Sequence, residues 1–161
     1  MENKKIKLNI GSGRQVIAGF LNVDITQIVT NNGKKLVDFV LDVSKQRLPF
    51  ADNSVDEIIC DNTLEHLDDM IFAMNEMHRV LKKDGILSGG VPLCGTTVHW
   101  KDPTHKRCFI KETFSYFCGV AEWNPDKPKH PKYADYGIKP WHEIEIVLKD
   151  DIFNFKLSPR K

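Results

Sequence analysis

A chain of 161 residues is the size of one domain, and residues 1–161 are expected to form a single one. Its 23 Lys and Arg against 22 Asp and Glu leave a net charge of +1, which argues against a protein built mainly to coat nucleic acid or an anionic membrane. With 41% hydrophobic and 28% charged residues, and no apolar run near the ~18 residues that cross a bilayer, disordered, fibrous and membrane-spanning classes are excluded. Residues 1–7 are charged and no signal-peptide-like apolar stretch follows them, so a cytoplasmic protein with reduced thiols is expected. Cys60, Cys94, Cys108 and Cys118 show no CxxC spacing and read as ordinary core or loop residues.

Residues 6–10 read as a short strand that runs into Gly11-Ser12-Gly13, and 19–25 as a second. Residues 36–43 read as a third with an apolar centre (Phe39, Val40, Leu41), and 55–60 as a fourth after a turn at Ala51-Asp52-Asn53. Runs that are apolar on both faces suggest buried, parallel strands. Over 63–83 the spacing of Leu64, Leu67, Met70, Ile71, Met74, Met77, Val80 and Leu81 predicts an amphipathic helix, with the Met residues in the core. Asn62 with Glu65 gives it an N-cap signal, Arg79, Lys82 and Lys83 suit its last turn, and Gly85 is expected to close it as a left-handed cap. Residues 86–91 follow as a fifth strand, completing a βαβ unit with its right-handed crossover. A short helix is expected over 113–117, and an irregular, aromatic-rich loop over 124–140. A hairpin pairs 143–148 with 152–157 around Asp150-Asp151. The fold class is α/β: a Rossmann-like, mostly parallel twisted sheet with helices on both faces and a C-terminal antiparallel hairpin.

A strand that runs into Gly-x-Gly lets a ligand approach the backbone, and Asp24 and Asp42 stand at the carboxyl ends of the second and third strands. In an open parallel sheet the ligand crevice lies outside those ends. Position 16 is Val, so the third glycine of a nicotinamide fingerprint is missing, and no Gly-Lys-Ser/Thr of a P-loop occurs. An adenosine-containing ligand without a pyrophosphate fits better, which points to S-adenosylmethionine.

Leu8-Asn9-Ile10-Gly11-Ser12-Gly13 followed by Gly19-Phe20-Leu21-Asn22-Val23-Asp24 resembles the opening of class I S-adenosylmethionine-dependent methyltransferases. More closely, the chain is similar to small bacterial methyltransferases of the type 11 kind. The likeness continues through Asp42, Leu48-Pro49-Phe50, Asp52-Asn53-Ser54-Val55-Asp56 and Leu64-Glu65-His66-Leu67. It then takes in Glu76-Met77-His78-Arg79-Val80-Leu81-Lys82-Lys83-Asp84-Gly85 and Asp102-Pro103-Thr104-His105-Lys106-Arg107. The resemblance implies that Gly11 and Gly13 border the methionine moiety, with Asn9 where many members carry an acid. It implies that Asp24 binds the ribose hydroxyls, that Asp42 with the Val43 backbone reads the adenine edge, and that Asp61 and Asn62 face the reacting centre. Little room remains between the first two strands for the family's usual long helix.

The stretch 99–111 carries four cations against Asp102, a local +3, and two histidines flank that acid. His105 or His99, oriented by Asp102, is the candidate base, and residues 93–140 form the candidate acceptor side. The acceptor is expected to be a small molecule or glycan-like and could be anionic; membranes are not expected as partners and nucleic acid is disfavoured. His66 beside Glu65 reads equally as a packing histidine and as a site residue. The spacing of Cys94, His99, His105, Cys108 and Cys118 matches no compact ligand pattern, so no metal is expected. The aromatics between Trp100 and Trp141 read first as cover for a sheet edge. A homodimer would be unsurprising. The competing function is a cofactor-binding or interaction module without turnover.

Overall fold

The computed structural model describes residues 5–118 and 136–161. Its core is a seven-stranded sheet of order β3-β2-β1-β4-β5-β7-β6. β1 (Lys7–Ile10), β2 (Leu21–Asp24), β3 (Phe39–Val40), β4 (Val55–Ile59) and β5 (Leu81–Pro92) run parallel to one another. β7 (Ile152–Pro159) pairs antiparallel with β5, and β6 (Trp141–Lys149) antiparallel with β7. The strand order reverses between β1 and β4, and a ligand crevice forms at such a point. In β1, Leu8 and Ile10 share one buried face while Asn9 is buried on the other as a polar residue, and in β4 Val55 and Ile58 are buried on opposite faces; all four apolar side chains are essentially inaccessible.

The predicted 63–83 helix is divided. A single 3₁₀ turn covers Leu64–His66, Leu67 is extended (ψ 138°), and the α-helix α1 spans Met70–Val80. Its N-cap is Asp69, whose carboxylate accepts from the Phe72 N–H at 2.8 Å; Asn62 caps nothing. Gly85 is not a left-handed cap either. Leu81 turns straight into β5, where burial and pairing with Val55 take precedence over another helical turn, and Gly85 lies inside the strand. The methionines behave as expected, with Met74 and Met77 in the core.

The third strand shrinks to two residues for an identifiable reason. The Gln27 amide bonds both the N–H and the C=O of Val37, and the Asp38 carboxylate accepts from Asn22 N–H, so side chains replace ladder bonds. The β1–β2, β2–β3 and β3–β4 connections carry no helix; helices come from the β4–β5 crossover and from the segment after β5. That segment holds α2 (Thr97–Trp100) and α3 (Lys111–Cys118). α3 docks on the hairpin through Phe114, whose ring lies 5.4 Å from Phe155 and 5.9 Å from Phe109. Trp141 is fully buried against His78 rather than covering an edge, whereas Trp100 is exposed. The expected loop over 124–140 falls mostly outside the described residues.

The thiol expectation is corrected by a disulfide between Cys94 and Cys108. A backbone bridge pairs Leu93 with Phe109, and Cys94 N–H donates to Phe109 O, which brings the two Cα atoms to 4.8 Å. No local spacing rule foresees this, because the approach is made by the two backbone segments. Cys60 and Cys118 are free and buried, and burial pushes both thiols up, Cys118 to about 12. No helix among the described residues is long and apolar enough to cross a membrane.

The hairpin turn holds Asp150 and Asp151 at φ 51° and 63°, the left-handed pair that a two-residue turn between twisted strands requires. Asp151→Gly is expected to stabilise the fold by about 0.5–1 kcal/mol, the relief of strain less the entropy gained by the unfolded chain. Thermal unfolding should show the midpoint rising by about 2 °C; an unchanged or lower midpoint would contradict this account of the turn.

Candidate cofactor and acceptor site

The carboxyl ends of β1 to β4 open into a cavity of about 280 Å³. Gly11, Asp24, Asp42, Val43 and Asn62 line it, together with Ser44, Thr63, His66, Asp68 and Lys106. The glycine turn is fixed from β2: Gly11 and Ser12 N–H both donate to Val23 O, at 2.8 and 3.2 Å. Gly11 (φ 69°) has no substitute, since a Cβ there would sit 2.0 Å from Thr63 Oγ1. Gly13 N–H donates to one Asp24 oxygen at 2.8 Å and Thr26 N–H to the other at 3.0 Å. A carboxylate has about four lone-pair sites, so Asp24 keeps acceptors for a ligand's hydroxyls.

Asp42 is more heavily engaged. Its Oδ1 accepts from Ser44 N–H (2.9 Å) and Oγ (2.5 Å), and its Oδ2 pairs with Lys45 Nζ at 3.1 Å. The Ser44 hydroxyl bond, ahead of Lys45, holds its carboxyl below the ordinary range. Lys45 also reaches Asp68 at 2.9 Å, and Asp68 pairs with Lys106, so a chain of exposed ion pairs crosses the cavity rim. Lys106, then Lys45, holds the Asp68 carboxyl down to about 2. The expected surplus of positive charge over 99–111 is therefore offset in part by Asp68.

Asn62 stands at the end of β4 with φ 44°, a strained position of the kind that accumulates at functional sites, and its N–H donates to Gly90 O. Asp61 is exposed and does not line the cavity. Asn9 is buried, its amide donating to Gln15 O (2.7 Å) and to Asn22 Oδ1 (3.0 Å), which holds the loop beneath the glycine turn.

The expected acceptor-side residues are split. Asp102 is spent on Thr104, accepting from its N–H (2.8 Å) and hydroxyl (2.6 Å). His99 is buried, with Nε2 at 3.2 Å from Cys108 Sγ. His105 donates from Nδ1 to His99 O at 2.7 Å, and its Nε2 faces Glu65 Oε1 and Asp102 Oδ2, each at 3.9 Å. Glu65 is fully buried, and burial pushes its carboxyl up to about 7. The 3₁₀ turn and the 102–107 loop are stitched together by Glu65 O, which accepts from the N–H groups of Lys106 (2.8 Å) and Arg107 (3.2 Å). The sequence read Glu65 as a capping residue and Lys106 as one of the cations of the 99–111 stretch, whereas Thr63, Ser44 and Asp68 carried no signal of their own.

A reversing parallel sheet with a glycine turn after β1 and acids after β2 and β3 defines a Rossmann-like domain that binds a nucleoside cofactor. A family profile described as methyltransferase domain matches residues 8–88, half of the chain, and the chain belongs to that family. Its cofactor is S-adenosylmethionine. Among solved structures, the fold is similar to a Haloferax volcanii chain complexed with the Trm112 methyltransferase activator (TM-score 0.62, 16% identity, covering 100% of this chain and 85% of that one). It is also similar to an Archaeoglobus fulgidus SAM-dependent methyltransferase (TM-score 0.59, 15% identity, 98% and 87%). A third is Burkholderia thailandensis 1,6-didemethyltoxoflavin-N1-methyltransferase with bound S-adenosylhomocysteine (TM-score 0.59, 12% identity, 97% and 71%). No curated protein matches the chain in sequence. The cavity fits the cofactor: its walls offer the free acceptors of Asp24, the Asp42–Val43 corner and the backbone of Gly11.

Proposed function

We propose that the protein catalyses methyl transfer from S-adenosylmethionine to a small-molecule or glycan-like acceptor. Asp24 would hold the ribose, Asp42 with Val43 the adenine, and Gly11 and Gly13 the methionine end, with Asn62 beside the reacting centre. The bound cofactor supplies a methyl group on a sulfonium leaving group, so the protein's main task is to position the acceptor. The observation that carries this reading is the continuity of the cavity: its floor is the acid-lined strand ends, and its far wall is His66 and Lys106, next to His105. His105, beside His66 at the cavity wall, would take a proton from a hydroxyl or ammonium acceptor. His99 acts through its carbonyl, by holding His105 Nδ1, and Asp102 by shaping the loop through Thr104.

The test is S-adenosylhomocysteine release, measured across a panel of hydroxylated and aminated small molecules and oligosaccharides. Turnover of at least one class, reduced about 100-fold or more in His105→Ala, is the expected result. Cofactor affinity without release on any acceptor would favour a binding module.

A further inference from the structure

Glu65 is a buried acid without a hydrogen bond. Its side chain is 0% exposed, and neither oxygen has a partner among the described residues. Buried carboxylates almost always have donors, and an orphaned one asks for an absent group. The neighbours make the question sharper. His105 Nδ1 lies 2.7 Å from a carbonyl, which can only accept, so Nδ1 carries a proton and the neutral form of the ring presents its Nε2 lone pair toward Glu65. His66 Nδ1 lies 3.0 Å from Thr104 Oγ1 and 3.3 Å from Thr104 O, which places its proton on the same nitrogen. Glu65, His66 and His105 thus bring one potential ligating atom each into a single cluster, all within 4.8 Å of one another. Acceptors cannot satisfy acceptors, and the 3.9 Å between His105 and Glu65 is too long for a hydrogen bond.

A cation resolves all three at once. Zinc bound to two imidazoles and a carboxylate at about 2.1 Å sets ligand atoms ~3.4 Å apart, within a modest rotation of these side chains. The Nδ1 bonds to the His99 carbonyl and to Thr104 are the outer partners that fix a ligating histidine's tautomer. The geometry points to a divalent first-row metal site formed by Glu65, His66 and His105. Two histidines and one carboxylate leave coordination positions open, as in catalytic rather than structural centres. His66 lines the cofactor cavity, so the site borders the space where the acceptor must bind. The ion's role rests on the methyl-transfer reading, although its binding does not: it would select an acceptor with an oxygen donor, a hydroxyl or carboxylate, and hold that oxygen beside the cofactor. With the ion bound, His105 is a ligand rather than a free base. The ligands lie on segments about 40 residues apart, which is why spacing along the chain gives no hint of them.

Chelator-treated full-length protein is titrated with zinc chloride by calorimetry, and cobalt is loaded separately for its visible spectrum. The expected result is one zinc per chain, bound about 100-fold or more weakly by His66→Ala and His105→Ala variants whose circular dichroism is unchanged. Cys94→Ser/Cys108→Ser should bind as the wild type does, and cobalt should show d–d absorption without a thiolate band. The proposal is overturned by the wild type taking up no stoichiometric zinc, by folded histidine variants binding as tightly as wild type, or by a thiolate–cobalt band. If those variants do not fold, the wild-type stoichiometry and cobalt spectrum decide alone. Methyl transfer that persists without bound metal would overturn the ion's role in acceptor selection and leave the enzyme reading intact, whereas zinc binding without any turnover would leave the site standing and count against the enzyme reading.

Discussion

Asp24→Ala is expected to weaken S-adenosylhomocysteine binding by about 100-fold or more. The carboxylate serves two structures at once. One oxygen accepts from Gly13 N–H and the other from Thr26 N–H, so it pins both the glycine turn and the exit of β2. Asp24 also lines the cavity, where the cofactor's ribose would be held. A hydrogen bond to a charged group contributes about 1.5–3 kcal/mol, and two hydroxyl bonds lost together correspond to about two to four decades in affinity. Asp24→Asn keeps one acceptor oxygen and should fall between the two. Calorimetric titration of wild type and both variants checks this, with Glu145→Ala, on the exposed β6–β7 face, as a control that should bind normally. Tight binding by folded Asp24→Ala would show that the cavity holds its ligand by some other wall.

The architecture was legible where one physical signal decides it. Short apolar-rich segments bounded by turn residues marked β1, β4 and β5, and in β1 the buried face is the one that carries Leu8 and Ile10. Asp150-Asp151 marked the hairpin because few residue pairs tolerate two left-handed positions. Asp24 and Asp42 followed from the strand ends, and both line the cavity. Periodicity misled where two structures share a pattern. Leu64 and Leu67 keep the spacing of α1 while belonging to a 3₁₀ turn and an extended residue, and Leu81 is buried equally well at a helix end or a strand start. Arg79 read as a charge suited to a helix end, yet its guanidinium reaches Leu48 O, Phe50 O and Asp52. The Glu65–His66–His105 cluster and the Cys94–Cys108 disulfide depend on loops that meet only after the sheet is built. Such contacts leave no trace in local spacing.

Glu76→Ala should lower stability by about 3–5 kcal/mol, the range for removing one partner of a buried ion pair. Glu76 is 8% exposed and sits on the inner side of α1. Its Oε1 accepts from Arg79 Nε at 3.0 Å, and its Oε2 from Arg79 Nη2 at 2.8 Å and from Leu48 N–H at 3.1 Å. Arg79 in turn donates to the carbonyls of Leu48 (3.0 Å) and Phe50 (2.8 Å). The 41–54 connection has neither helix nor strand, so these bonds fasten it to α1, and with it the Asp42–Ser44 wall of the cavity. Truncation leaves the largely buried Arg79 with only the exposed Asp52 as a carboxylate partner, and Leu48 N–H unbonded. Burial alone would raise the Glu76 carboxyl, but the Arg79 bond and charge outweigh it and hold the group below its ordinary value. A carboxylate lowered in the folded state stabilises the fold fully above its unfolded value, and that contribution is lost as the pH falls through the folded one. The loss therefore begins near pH 4.3 and grows downward, with no change expected above it. Urea unfolding at pH 7 should show the full deficit in Glu76→Ala, a smaller one in Glu76→Gln, and an acid limb flattened in both. A deficit under about 1 kcal/mol, or an acid limb as steep as that of the wild type, would mean that the 41–54 segment is held by its apolar contacts and not by this pair.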